Sequence, residues 1–90
     1  MSTPSAEWSW NEVKRCFAIG AEVKGIVTRL EHYGVWVDLG IGFDGLLLVT
    51  EMAGEIKKGL DEYPQVGEIV SAKVVRHNDD ERKLKLSQQA

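Results

Sequence analysis

After Gly20 the hydrophobic pattern of the chain takes a period of two and keeps it nearly to the end. Five runs carry it: "EVKGIVTRL" (22–30), "GVWVDLG" (34–40), "FDGLLLV" (43–49), "GEIVSAKVVRH" (67–77) and "KLKLS" (83–87). Successive side chains of a strand point to opposite faces, so alternation with β-branched residues predicts strands half-buried against a core. In the second run Val35, Val37 and Leu39 share one face, and Trp36 and Asp38 share the other. In the last run Leu84 and Leu86 point inward and Lys83 and Lys85 outward. "GIG" (40–42) and "NDDER" (78–82) read as turns. Residues 50–66 break the pattern with Gly54, Gly59, Pro64 and charges, and predict a long connection containing a helical turn.

Five strands with one long excursion between the third and fourth predict an all-β, five-stranded Greek-key barrel of the OB type. Ninety residues suffice for one domain. A tail and short helix are expected over 1–19, and the barrel over 20–88. Ser9 and Glu12 have capping-box spacing, and Trp10, Val13 and Phe17 then fall on one helical face, with Gly20 as the expected stop. Residues 1–8 are small and polar apart from Trp8 and are expected to be loose. "GAEVKGIVTR" and "GEIVSAKVVR" superpose at an offset of 47, pairing Gly20 with Gly67, Val23 with Val70, Gly25 with Ala72, Val27 with Val74 and Arg29 with Arg76. A small residue between inward valines lets a long strand coil enough to serve both halves of a closed barrel. Gly25 is therefore the expected site of a bend or bulge.

Most site chemistry is missing. His32 stands beside an aromatic and His77 ends a strand, and with Cys16 they have no metal-ligand spacing. His77 reads as a solvated turn residue. Asp79, Asp80 and Glu81, flanked by Arg82 and Lys83, read as a solvated turn without the spacing or glycine of a calcium loop. "GIGFDG" (40–45) matches G-x-G-x-x-G but leads into an apolar strand, not a helix, so it fails as a dinucleotide loop. No enzyme, metal or cofactor is expected. The lone thiol of Cys16 suits a reducing cytoplasm. No apolar run approaches the roughly 18 residues of a membrane span, and the N-terminus lacks the basic and apolar regions of a secretory signal. A cytoplasmic chain with no membrane partner is expected. The formal net charge of −3 argues against a general nucleic-acid coat and leaves room for a local basic patch.

The aromatics of "EHYGVWVDL" (31–39) give the positive signal. With Val35 and Val37 inward, Trp36 faces out, and Tyr33 reaches the same face from the strand's start. Two rings on a sheet surface make a platform on which unpaired bases stack, for about 1–3 kcal/mol per base. Gly34 lets the backbone turn between them. Lys83 and Lys85 point outward, and Arg76, Lys73 or Lys24 can add charge for phosphates.

Taken together, "GAEVKGIVTRLEHYGVWVDL", "GFDGLLLVTEM", "VGEIVSAKVV" and "KLKLS" resemble the S1-type RNA-binding domain from about Ile19 to Ser87. This is an OB-fold module that recurs in ribosomal protein S1, ribonucleases and translation factors. The resemblance implies RNA contacts from Tyr33 and Trp36, and from Lys83 at the start of the fifth strand. A frequent family histidine on the third strand corresponds to Leu48, where this sequence departs from the pattern. The family's acidic position falls at Asn78 or Asp79. His32, Arg76 and Lys85 complete the expected RNA-binding set. The implied partner is single-stranded RNA, in the setting of the ribosome or an RNA-processing complex, with low sequence specificity. The alternative is a protein-interaction module that keeps the fold, suggested by Leu48, the acidic balance and the Trp8/Trp10 segment. An enzyme fragment is the weakest reading, since the chain has no room for a catalytic domain.

Overall fold

The computed structural model describes residues 8–54, 57 and 59–89. Helix α1 (Trp10–Cys16) is followed by strands β1 (Glu22–Glu31), β2 (Gly34–Asp38) and β3 (Asp44–Leu48). Two 3-10 turns, Val49–Glu51 and Leu60–Glu62, lie in the long connection, and β4 (Ile69–Asn78) and β5 (Lys83–Ser87) complete the chain. The strands close into a barrel in the order β1-β2-β3-β5-β4. Only the β3–β5 pair is parallel. The expected five-stranded OB-type barrel is therefore present.

Alternation places the core as expected. Val27, Val35, Val37, Leu47, Val74, Leu84 and Leu86 are almost wholly buried inside the barrel. Each such side chain contributes about 1.5–3 kcal/mol relative to exposure. The capping box forms as read: Glu12 N–H donates to Ser9 Oγ at 3.1 Å, and Ser9 N–H donates to Glu12 Oε1 at 3.0 Å. Trp10 and Val13 join the same contiguous core as the strands, with Phe17 partly buried against it.

The helix stops earlier than Gly20. Phe17 already leaves helical geometry, with φ −116° and ψ 61°, while its N–H still bonds Val13. Trp8 also departs from the loose N-terminal segment expected, since its ring packs on Phe17 at 5.6 Å. Residues 1–7 of that segment lie outside the described residues. The second strand ends at Asp38, whose carboxylate accepts the Gly40 N–H at 2.8 Å and starts the turn. The buried Tyr63 of the long connection donates its hydroxyl to the His32 carbonyl at 2.7 Å, which fixes the β1–β2 corner.

The echo at an offset of 47 is a structural repeat. β1 and β4 have the same length and the same in–out pattern of burial. Gly20 and Gly67 take φ values of 96° and 93°. Their N–H groups bond the carbonyls of Val74 and Val27 at 2.7 and 2.8 Å, each glycine holding the opposite strand.

The bulge lies elsewhere than Gly25. Register shifts fall between Val27 and Arg29 in β1, and between Val74 and Arg76 in β4. In both strands the extra residue turns an arginine of inward parity to the outside. Gly25 answers a packing constraint instead: an added Cβ would collide with Val37 and come within 2.6 Å of the Asp38 carbonyl oxygen.

Candidate nucleic-acid interface

Two bulges and one row of strand pairing build the outer face of the barrel. Register sets Arg29 beside Trp36, Trp36 beside Leu46, Leu46 beside Lys85, and Lys85 beside Arg76. One indole thus stands in a row with three cations. Leu46 is buried although it lies outside the barrel core, so it floors the outer surface next to Trp36.

Trp36 is half-buried, and its Nε1–H donates to the Tyr33 hydroxyl at 3.1 Å. That bond joins the two aromatics into one platform. His32 meets the Tyr33 ring edge-on at 5.3 Å. Gly34 between the aromatics is set by proximity: an added Cβ would strike the Leu47 carbonyl and lie 2.8 Å from Leu48 Cα. No larger residue can stand there while β2 and β3 stay paired.

Two cations lie over the indole. Lys83 Nζ is 4.8 Å from the Trp36 ring centroid, and the Arg29 guanidinium carbon is 5.5 Å from it. Both distances are within the range of cation–π attraction. Each cation also has an acidic tether: Lys83 pairs with Glu81, and Arg29 with Glu31 at 2.9 Å. The hydrogen bond and charge of Lys83 hold the Glu81 carboxyl below its usual range. The Arg29 pair is solvent-exposed and screened, and Lys83 is mostly covered while its partner Glu81 is exposed, so Arg29 is the cation more readily given up to a phosphate.

Tyr33 and Trp36 line an open groove of about 690 Å³. Its lining also includes two neighbouring stretches, Gly42, Phe43 and Asp44 leading into β3, and Glu81, Arg82 and Lys83 leading into β5. The expected residues divide between this groove and its surroundings. Tyr33, Trp36 and Lys83 come together in it. Arg76, Asn78 and Lys85 line a second, polar hollow with His77, Asp79 and Asp80. His32 and Leu48 lie at the far end of β2, where Leu48 pairs with Gly34. Leu46, rather than Leu48, stands directly opposite Trp36.

The turn before β5 is more engaged than a solvated loop. Asn78 Oδ1 accepts the Glu81 N–H at 3.1 Å. Asp79 Oδ1 accepts from Trp10 Nε1 at 2.7 Å and pairs with Lys14 at 2.8 Å. The Lys14 hydrogen bond first, and that of Trp10 second, lower the Asp79 pKa. His77 is likewise not a solvated turn residue. It belongs to β4, its Nε2 lies 2.8 Å from the Phe17 carbonyl, and its ring meets Trp10 edge-on at 6.2 Å.

Arg29 and Phe43 complete the site, and local spacing marks neither. Alternation alone turns Arg29 inward. The signal that finds it is the repeat, which matches it to Arg76, with a charged residue at inward parity in both strands. Phe43 reads from sequence as the start of an apolar strand, yet it lies in the wall of the groove. Among the described residues no three His, Cys, Asp or Glu side chains gather as metal ligands, and no helix is long and apolar enough to cross a membrane.

A small closed barrel with an aromatic, cation-flanked groove on its β2–β3 face is an OB-type binding module in form. The S1 RNA binding domain matches residues 17–88, and the chain belongs to that family. It is 32% identical over 78 residues to small ribosomal subunit protein bS1 of Chlamydia trachomatis serovar D. That match covers 87% of this chain and 14% of the relative, so the chain spans about one-seventh of that protein's length. The solution structure of GSP13 from Bacillus subtilis superposes with a TM-score of 0.68 at 33% identity, covering 79% of this chain and 55% of that one. A chain of the a/eIF2alpha-aDim2p-rRNA complex from Pyrococcus horikoshii OT3 gives a TM-score of 0.70 at 26% identity, covering 79% and 44%.

Proposed function

We propose that the chain is a non-catalytic module that binds single-stranded RNA with low sequence specificity. The observation that carries this reading is the outward Trp36–Tyr33 pair in an open groove, with Lys83 and Arg29 over the indole. A base stacks on an aromatic whatever its identity, and a cation displaced from the ring is placed to meet the phosphate that follows. Lys85 and Arg76 extend the charged row and give the strand an exit across β5 and β4. Leu48 offers no hydrogen bond where the family often has histidine, so stacking and charge bear the binding. Asn78 is engaged within its own turn and serves RNA mainly by holding Glu81 and Lys83 in place.

The setting we propose is translation or RNA turnover in the cytoplasm. The ribosomal name of the bS1 relative and the rRNA-containing complex among the similar structures support it. A protein-docking role is the second reading. It is favoured by the exposed Ile26 and Ile69, paired across β1 and β4, and by exposed Val66.

Titration with a short oligouridylate at low salt, followed by amide shifts, tests the proposal. Saturable shifts at Tyr33, Trp36 and Lys83 are expected, and in a folded Trp36→Ala variant those at Tyr33 and Lys83 should saturate only at much higher RNA concentration. Absence of binding at low salt would favour protein docking instead.

A further inference from the structure

Two loops that line the groove are attached to one short helix that lies outside the family domain. α1 ends at Cys16, while the family match begins at residue 17. From α1, Trp10 makes two contacts at once. Its ring packs on Phe43 of the first loop, with centroids 5.3 Å apart. Its Nε1–H donates to Asp79, in the second loop, at 2.7 Å. Lys14, one helical turn on, holds the same Asp79 oxygen at 2.8 Å.

The helix itself has little freedom. Trp10 is 8% and Val13 0% exposed. Phe17, just after the helix, is held through its carbonyl by His77 and through its ring by Trp8. The two loops hold themselves only by local contacts, the Gly40 N–H to Asp38 and the buried Ile41 in the first, and Asn78 with Glu81 in the second. The first turns on glycines at φ 75° and 81°, and the second contains Arg82 at φ 52°. A buried element touching both loops fixes where they stand relative to each other and to the Tyr33–Trp36 platform. It also neutralises Asp79, an acidic group close to where phosphates would pass.

We propose that Trp10 and Lys14 are positioning residues for RNA binding, acting through Phe43 and Asp79 on the two loops that line the groove. This rests on the groove being the RNA site. The preorganised loops bind without first having to be ordered, so loosening them raises the dissociation rate more than it changes encounter.

The test compares the full chain with Trp10→Phe/Lys14→Met, which keeps a ring against Phe43 and removes both bonds to Asp79. Lys14→Met alone, at a surface position, serves as the variant certain to retain the helix core. Affinity for a labelled oligouridylate of about ten nucleotides is measured alongside amide hydrogen exchange. The double variant should bind about three- to tenfold more weakly, no more than the weight of one charge-assisted hydrogen bond. Lys14→Met alone should move the same way by less. Exchange should quicken at residues 40–43 and 79–82 and stay unchanged at Val35 and Val74.

Affinity within about twofold of the unaltered chain, on the same scale, overturns the proposal. So does weaker binding with equal quickening at Val35 and Val74, because the helix then merely stabilises the barrel. If the unaltered chain does not bind RNA, the functional reading falls and takes this proposal with it. If the unaltered chain binds and the variants bind equally well, the positioning role alone falls.

Discussion

β1 and β4 are the same strand built twice, yet only one of them meets the aromatic platform. They share length, burial pattern, a glycine hinge and a bulge that turns an arginine outward. Their neighbours differ. β1 pairs with β2, so Arg29 lands on Trp36, while β4 pairs with β5, so Arg76 lands beside Lys85. A repeated backbone frame thus gives one arginine a ring to cover and the other a cation to stand near. The inward pattern is a requirement of barrel closure, and the chemistry depends on which strand lies alongside.

The comparison breaks most severely at the small residue in the middle of each strand. Gly25→Val should cost about 3 kcal/mol or more, beyond ordinary overpacking, because the Asp38 backbone stands in the way. At the matched position Ala72→Gly should cost only about 1 kcal/mol. Urea denaturation of both variants measures the asymmetry. A loss at Gly25 as small as that at Ala72 would mean that the Asp38 backbone does not close off the Gly25 position.

Next in size is the platform. Trp36→Ala should weaken RNA binding by about 1–3 kcal/mol, the worth of one stacked base, and urea denaturation of the same variant separates this loss from the stability lost with the partly buried ring. The arginine pair sharpens the contrast further. Arg29→Ala should lower affinity more than Arg76→Ala, and each lost phosphate contact should reduce the salt slope by about 1. Titrations at several salt concentrations separate the two variants, and equal effects would contradict the assignment of Arg29 to the site.

The smallest effect is that of acid. Asp79 has its pKa lowered below the usual 3.8, with the Lys14 hydrogen bond the largest cause and Trp10 the next. A depressed carboxylate contributes stability above its unfolded value, and the contribution disappears as pH falls through the folded one. The link from α1 to the β4–β5 loop should therefore hold at neutral pH and release only below 3.8. The Trp10 indole N–H resonance, followed by NMR as pH is lowered, reports that release. A shift centred well above that value would point to a different group.

The barrel was legible because alternation is a local property. Val35 and Val37, or Leu84 and Leu86, declare an inward face within a few residues. The bulges were harder, since Gly25 is the visible irregularity and an arginine at inward parity is the true one. The helix end is hidden for a similar reason. Gly20 has the positive φ of a stop signal, but it serves the hinge into β1 rather than α1. Tyr33, Trp36 and Lys83 could be gathered from strand parity and family resemblance. The contacts of Asp79 with Trp10 and Lys14 could not, because those partners lie 69 and 65 residues away. Phe43 was hidden likewise, its role being set by a turn and by a ring from the far end of the chain.

The central claim, that the β2–β3 groove takes single-stranded RNA, is tested most directly by amide-shift mapping with a short oligouridylate at low salt. Saturable shifts focused on Tyr33, Trp36, Phe43, Lys83 and Arg29 are expected, weakening as salt rises. Shifts centred on Ile26, Val66 and Ile69, or none at all, would contradict it.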